Sequence, residues 1–475
     1  MLEFNPALSL KRYSTDLMTK PFLNLLGFAL LWSSTAFALP SIAPKIQNKE
    51  ISVGILNNYY LTKPKEPLSG SGTGNLGLHL GLRAFGEKGN FHFGVEADSL
   101  YGLRKANYRY IDIAEANLGL DNKKVSSYLG RKRYEWSSLD SYWGLGLYQP
   151  RFRWDYLNER ENGLFGHFFG INTKWIQAHA YYSPIYIPEQ GAPFDIDAGN
   201  CKTSSPWFSC PNSTINLFNQ PTDVRFSLEI PPVRDIITRW GGGASLRVGE
   251  ALGPFSRASY TYKPMNQFLL SYEGRLDLST LQVPATIRPR VLYHKVTAVD
   301  VGWNLPRHSF TLSGIWEHPI KDTTPATWNN QQTYKASIHG ATVKTMPLGS
   351  PFSYTRAEFS YFQLDGGNGP DTGPFAQTNT SIFEPRFAFK SAFSAAAFTP
   401  IVDSWAEHFL FSVKLVVDTI NQGNILQSDL RFYPIRPLTL MVGLEILGSE
   451  SRSPVDFISR YQRNDRLKGG IAYVF

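Results

Sequence analysis

Five arginines and three tryptophans crowd into one stretch, 130–164: Arg131, Arg133, Arg151, Arg153 and Arg160 with Trp136, Trp143 and Trp154. Fixed cations set among aromatic faces can draw in anions or carboxylated solutes, and the rings can form stacking rails for sugars. A segment this aromatic must bury its apolar area, either by folding into an interior or by packing as a lid. The inward reading makes Arg131, Arg133, Arg151, Arg153, Trp136, Trp143 and Trp154 candidates for a pore constriction. A second stretch, 185–222, is rich in Pro, Ser and Asn and holds both cysteines, Cys201 and Cys210. Their spacing is too wide for a redox or zinc CxxC pair, so a local disulfide in an oxidising compartment is expected. Asp195 and Asp197 stand two apart, as in calcium loops, but lack the rest of a ligand set, so no metal site is expected. The sequence has no GxSxG, HExxH or cysteine-nucleophile motif, and His308-Ser309 alone makes no triad. Neither an enzymatic activity nor a cofactor is expected.

The elements that would position these residues alternate with period two. Leu76, Leu78, Leu80 and Leu82 alternate with Gly77, His79, Gly81 and Arg83, and Phe91, Phe93, Val95 and Ala97 with His92, Gly94, Glu96 and Asp98. Similar runs cover 268–278, 408–418 and 438–446. Such runs are half-buried strands, and at about ten residues or more they match the length of a tilted strand crossing a bilayer. The polar positions include Arg83, Glu96, Asp98, Glu115, Arg239, Arg247, Glu273, Arg275, Asp277, Lys414 and Glu445. They fit a wet lumen, where they either line the path or brace neighbouring strands. Connections alternate in length. Short ones fall near 87–89, 122–123, 172–173, 231–233, 264–266, 305–307, 347–351 and 434–436. Longer ones fall near 62–74, 102–108, 133–162, 185–222, 279–288, 319–333, 364–384 and 449–465. Twenty segments qualify as strands; 124–132 and 223–230 are the least regular, which leaves 18 or 20, with 18 preferred. The expected fold is all-β, an antiparallel up-and-down transmembrane barrel. Aromatics such as Tyr59, Tyr101, Trp303 and Tyr433 sit near strand ends, where interfacial girdles would place them.

The start of the chain reads as an export signal. An apolar run over 22–32 follows Lys20 and ends in Ala36-Phe37-Ala38, a small-x-small cleavage pattern, and Met18 offers a more conventional start. The expected divisions are a signal peptide 1–38, a short periplasmic lead 39–49 and a barrel 50–475. Beyond residue 38 no run approaches the roughly 20 apolar residues of a spanning helix. The net charge of +8 comes without a dense basic run, so no nucleic-acid partner is expected; a biased pore or contact with anionic lipid fits better.

The last ten residues, Arg466 to Phe475, set Leu467, Gly469, Ile471, Tyr473 and Phe475 against Arg466, Lys468, Gly470, Ala472 and Val474. This stretch, with its aromatic end, resembles the closing strand of bacterial outer-membrane porin-like β-barrels. The resemblance implies that Phe475, Tyr473 and Ile471 form the signal read by the barrel assembly machinery. It also implies periplasmic ends, short periplasmic turns and long external loops, with outer-membrane lipid and lipopolysaccharide around the wall. Gly130-Arg131 followed by Trp136 resembles strand-end segments of large porin-like families, the alginate-export type among them. The function that follows is a channel in the outer membrane for small hydrophilic, anionic solutes. The other readings are an export conduit, an adhesin or structural barrel, and an outer-membrane hydrolase.

Overall fold

The computed structural model describes residues 45–62, 74–103, 108–203, 205–211, 213–217, 220–320, 328–346, 349, 351–368, 386–450 and 456–475. The expected signal peptide and the first residues of the expected lead lie outside these. The alternating segments become eighteen antiparallel strands that pair in chain order. They begin with β1 Lys45–Tyr60, β2 Gly74–Lys88, β3 Phe91–Gly102, β4 Arg109–Asp121, β5 Val125–Lys132 and β6 Leu164–Asn172. They continue with β7 Ile176–Ser183, β8 Gly241–Gly249, β9 Gly253–Pro264, β10 Tyr293–Asn304, β11 His308–Pro319 and β12 Thr333–Thr345. The last six are β13 Arg356–Asn368, β14 Ser391–Thr399, β15 Phe409–Asp418, β16 Gly423–Ile435, β17 Leu438–Ser449 and β18 Arg466–Val474. The final strand returns to the first, Ser52 opposite Val474 and Tyr60 opposite Arg466, and this pairing closes the barrel. Closure removes the edges that an open sheet of this size would expose. β1 therefore takes in part of the stretch read as a lead.

Period-two alternation turns one face of every strand outward. Leu129 on β5 and Val442 on β17 are both 62% exposed, while Asp300, Glu445 and Arg466 on the inner face are at most 1% exposed. A wall with apolar side chains outside and ions inside is stable only with hydrocarbon around it. No helix among the described residues is long and apolar enough to cross a membrane; strands do the crossing.

One end of the barrel carries short turns, among them Gly89-Asn90, 173–175, 250–252 and 305–307; the other carries the long excursions 133–163, 184–240 and 265–292. Of the two least regular segments, 124–132 is wall strand β5, whereas 223–230 is not in the wall. Gln220–Leu228 joins Val283–Arg290, Leu269–Gly274, Thr214–Leu217 and Asn329–Asn330 in a separate five-stranded sheet built from the long excursions. These strands alternate because they bury their own apolar face, with Val224, Phe226, Val283, Ala285 and Ile287 at its centre. The short link expected at 231–233 thus lies inside a long excursion, and at 264–266 another long excursion begins. The real turn is at 250–252, where Gly249 and Gly253 both take positive φ.

Candidate functional site

The excursion 133–163 runs through the barrel interior, as its partners around the wall show. At its base, Arg131 Nε on β5 donates to Gly163 O at 3.0 Å, stapling the two ends of the loop together. Arg133 pairs with Glu96 on β3, and its backbone N–H donates to Glu115 on β4 at 2.7 Å. Ser137 Oγ and Ser138 N–H donate to Asp300 on β10 at 3.2 and 2.9 Å. Tyr142 Oη donates to Ser394 on β14 (3.2 Å) and Trp143 Nε1 to Ser360 on β13 (2.9 Å). The returning limb reaches the opposite wall. Leu157 O accepts from Gln427 on β16 at 2.6 Å, and Asp155 accepts from Arg466 on β18 at 2.6 Å. A segment bonded to strands on every side of a closed wall must cross its lumen.

Local chemistry explains its shape. A short helix, α1 Ser138–Trp143, opens from extended Ser137, whose hydroxyl is used on Asp300 rather than as a cap, and stops at Gly144 with φ +63°. Asp140 folds the chain back by accepting from the N–H groups of Leu147 and Tyr148, both at 3.1 Å. Burial raises the Asp140 carboxyl, and Arg151 and those two N–H bonds pull it back. Leu139 drops against the wall at Gly340 on β12, where an added Cβ would lie 2.7 Å from a Leu139 methyl. Trp136 stacks on Tyr148 (5.8 Å, 2°) within an apolar core that includes Phe168, Tyr181, Ile315, Ile338 and Phe362. That core ties the loop to wall strands from β5 round to β17.

Two cavities lie against the inserted loop. The one toward the long-loop end has a volume of about 270 Å³ and is lined by α1, Arg151, Arg153, Arg386, Arg460 and the rings of Tyr156, Phe362, Phe387, Phe389 and Phe457. The one toward the short-turn end has about 770 Å³ and is lined by Arg133, Arg247, Arg257, Lys344, Glu135, Glu161 and Glu358, among others. They share three residues, Ser141 and Tyr142 on α1 and Lys414 on β15. The Lys414 ammonium sits 5.7 Å from the Tyr142 ring centroid. This pair belongs to the wall common to both cavities. Five Lys or Arg side chains face one carboxylate, Glu159, in the outer cavity, and five face three carboxylates in the inner one. Lys344 and Lys414 have no carboxylate within ion-pair distance among the described residues; Arg257 is paired with Glu135 at 2.9 Å. In the outer cavity, burial works against the Arg153 charge, but Glu159 and Glu189 outweigh it and hold its pKa above the usual value. In the inner one, burial pushes the Glu161 carboxyl up to about 7, with Arg151 acting the other way.

The sequence candidates divide accordingly. Arg133, Arg151, Arg153 and Trp143 line a cavity. Arg151 and Arg153 also brace the loop, donating to Asp140 O at 3.3 Å and Gly144 O at 3.0 Å. Arg131 is a staple and Trp136 a core residue, while Trp154 packs with Tyr108, Tyr110 and Phe152 in a separate cluster; none of the three lines either cavity. Arg83, Glu96, Asp98 and Glu115 do face inward as a charge network: Arg83 to Glu96 at 3.1 Å, His79 to Asp98 at 2.5 Å, and Arg160 to Asp98. Arg247 lines the inner cavity over the Phe255 ring at 4.7 Å. Glu273, Arg275 and Asp277 belong to the loop-built sheet and its turn, not to a wall strand, and Arg239 bonds to Asp235 O ahead of β8. Glu445 is buried between Arg466 and Lys468, at 2.5 and 2.6 Å. Cys201 and Cys210 are disulfide-bonded. Among the described residues no cluster of His, Cys, Asp and Glu could hold a metal ion. Tyr142, Lys344, Arg257, Arg386 and Arg460 were absent from the sequence candidates; only the inward parity of the wall residues Arg257 and Lys344 could have flagged any of them.

No family model matches the chain, and no curated protein does. Among solved structures it is similar to Pseudomonas aeruginosa OccK3 (OpdO), at 11% identity over 90% of this chain and 96% of that one, with a TM-score of 0.45. It is also similar to P. aeruginosa OccK2 (OpdF), solved in complex with glucuronate, at 8% identity over 90% and 95%, TM-score 0.48. For Acinetobacter baumannii OccAB3 the values are 10%, 90%, 99% and 0.43.

Proposed function

We propose that the chain is an outer-membrane channel through which small hydrophilic, anionic solutes diffuse selectively. The observation that carries this reading is the pair of cavities meeting at Lys414 and Tyr142, each with more cations than carboxylates on its wall. A carboxylate moving through would exchange water for guanidinium and ammonium donors along the whole path, and the Lys414 step would select for its charge. Passage of this kind needs no bond-making and no energy source, and its direction follows the gradient. The orientation has the long excursions outside and the short turns, with the start of β1 and the end of β18, in the periplasm, as the alternation of turn lengths supports. The outward Ile471, Tyr473 and Phe475 of the closing strand, 46%, 42% and 68% exposed, are free to be read during insertion.

Swelling of liposomes carrying the purified protein tests this. Small monocarboxylates are expected to enter faster than neutral solutes of equal size. Equal rates would remove the charge selection, and no entry from folded, heat-modifiable protein would remove the channel.

A further inference from the structure

Three neighbouring strands break the apolar rule on the outward face just below the long-loop rim. Lys295 on β10 is paired directly with His318 on β11. The register of Glu317 with Ala336 puts Lys335 on β12 next in the same row. His294, Glu317 and Ala336, one step away on each strand, are buried inward, so Lys295, His318 and Lys335 point out, and all three are exposed. None of them has an ion-pair partner among the described residues. At the corresponding level Tyr101, Tyr182, Val417 and Leu467 are neutral side chains that suit a lipid boundary, while Arg109, opposite Tyr101, is a lone cation with no cationic neighbour on the adjoining strand β3. Across two ladder spacings of the sheet, Lys295 and Lys335 stand about 10 Å apart. On the side of Lys295 the row continues into Tyr262, which faces it across the β9–β10 pair. Tyr262 stacks with Tyr293 at 5.2 Å and with Trp240 at 5.1 Å, an aromatic shelf at the same depth.

Cations held on a membrane wall without counter-charges are costly in hydrocarbon and inexpensive only where a headgroup meets them. We propose that Lys295, His318 and Lys335 form a site for the phosphates of lipopolysaccharide, with the shelf of Tyr262, Tyr293 and Trp240 taking its sugar or acyl edge. The chemistry is that of a phosphate set at the top of a multi-chain lipid: Lys ammonium groups meet the phosphate oxygens, and the rings sit at the boundary between headgroup and chains. The site rests on the orientation given under the proposed function, which turns this rim toward the outer leaflet.

Native mass spectrometry of the full chain in detergent, titrated with diphosphorylated lipid A, tests it. The wild type is expected to retain lipid A, and dephosphorylated lipid A and phosphatidylethanolamine to bind at least tenfold more weakly. K295Q/H318A/K335Q should lose at least tenfold in affinity, and K295R/K335R, which keeps the charges, should bind within threefold of wild type. Equal binding of the dephosphorylated lipid, or wild-type affinity in the triple variant, overturns the proposal, as does full displacement of lipid A by an equimolar amount of inorganic phosphate. Because these side chains face away from the lumen, the triple variant should keep the wild-type reversal potential; a shift would place them on the conducting path and refute the outward site. Lipid retention is read without any conduction, so a failure of the channel reading would not mimic a failure of the lipid site.

Discussion

Replacing Lys414 by glutamine removes the cation at the junction of the two cavities and leaves the wall otherwise unchanged. The side chain is half-buried, shared by both cavities, and 5.7 Å from the Tyr142 ring centroid. A solute crossing there comes within contact range of the ammonium. At about 4 Å a pair of unit charges is worth about 1 kcal/mol at the dielectric of water and about 4 kcal/mol at an effective value near 20. Taking the lower bound because the path is wet, Lys414 stabilises a passing monoanion by about 1 kcal/mol and raises a monocation by the same amount. The difference of about 2 kcal/mol corresponds to roughly a 30-fold change in anion-over-cation preference at this step. Reversal potentials under a salt gradient would read the permeability ratio directly. K414Q should lose roughly an order of magnitude of anion preference, since other steps in series dilute the full factor, and K414R should keep it. A ratio for K414Q within twofold of wild type would show that the junction does not set selectivity.

Glu161 supplies a pH dependence of known sign. Its carboxyl is held at about 7, so it is charged at pH 8 and largely neutral at pH 6; the inner cavity then gains net positive charge, and anion preference should rise on acidification. E161Q should flatten that change, and a wild-type ratio constant between these pH values would contradict the assignment. Because the folded value lies above the ordinary 4.5, the same group should also lower stability as pH rises from there to about 7. Gly340→Val would put a side chain against Leu139 and 2.5 Å from Tyr361 O, a strain of about 1–3 kcal/mol that should lower the thermal midpoint and alter single-channel conductance. Trp207, 1% exposed, lies between Tyr461 (5.4 Å) and the Arg466 guanidinium (5.3 Å), so Trp207→Ala should cost about 3–5 kcal/mol locally. It should expose 456–465 to trypsin; unchanged cleavage would show that the disulfide-closed excursion does not anchor that segment.

Much of the wall was legible because its signal is local. Side-chain parity on β2, β3, β15, β17 and β18 could be read residue by residue, and the aromatic content of 133–163 required burial somewhere. The errors arose where locality gave out. Gln220–Leu228 and Leu269–Gly274 alternate as wall strands do, since any half-buried strand alternates, and only their pairing with one another separates them from the barrel. The turn at 250–252 was concealed because a glycine flanks it on each side within a run that otherwise reads as one strand. The junction was least accessible of all. Tyr142 and Lys414 lie far apart in the chain, and their approach depends on where Asp140 turns the inserted loop and on the space above Gly340 that admits Leu139. Of the conspicuous residues in that loop, Trp136 and Trp154 were spent on packing, and Arg131 on closing its base.

A lumen biased toward anions sets the sign of the reversal potential. Wild-type protein in a planar bilayer under a potassium chloride gradient should give discrete conductance steps whose reversal potential lies on the chloride side of zero. Steps that reverse at zero or on the potassium side would contradict the account.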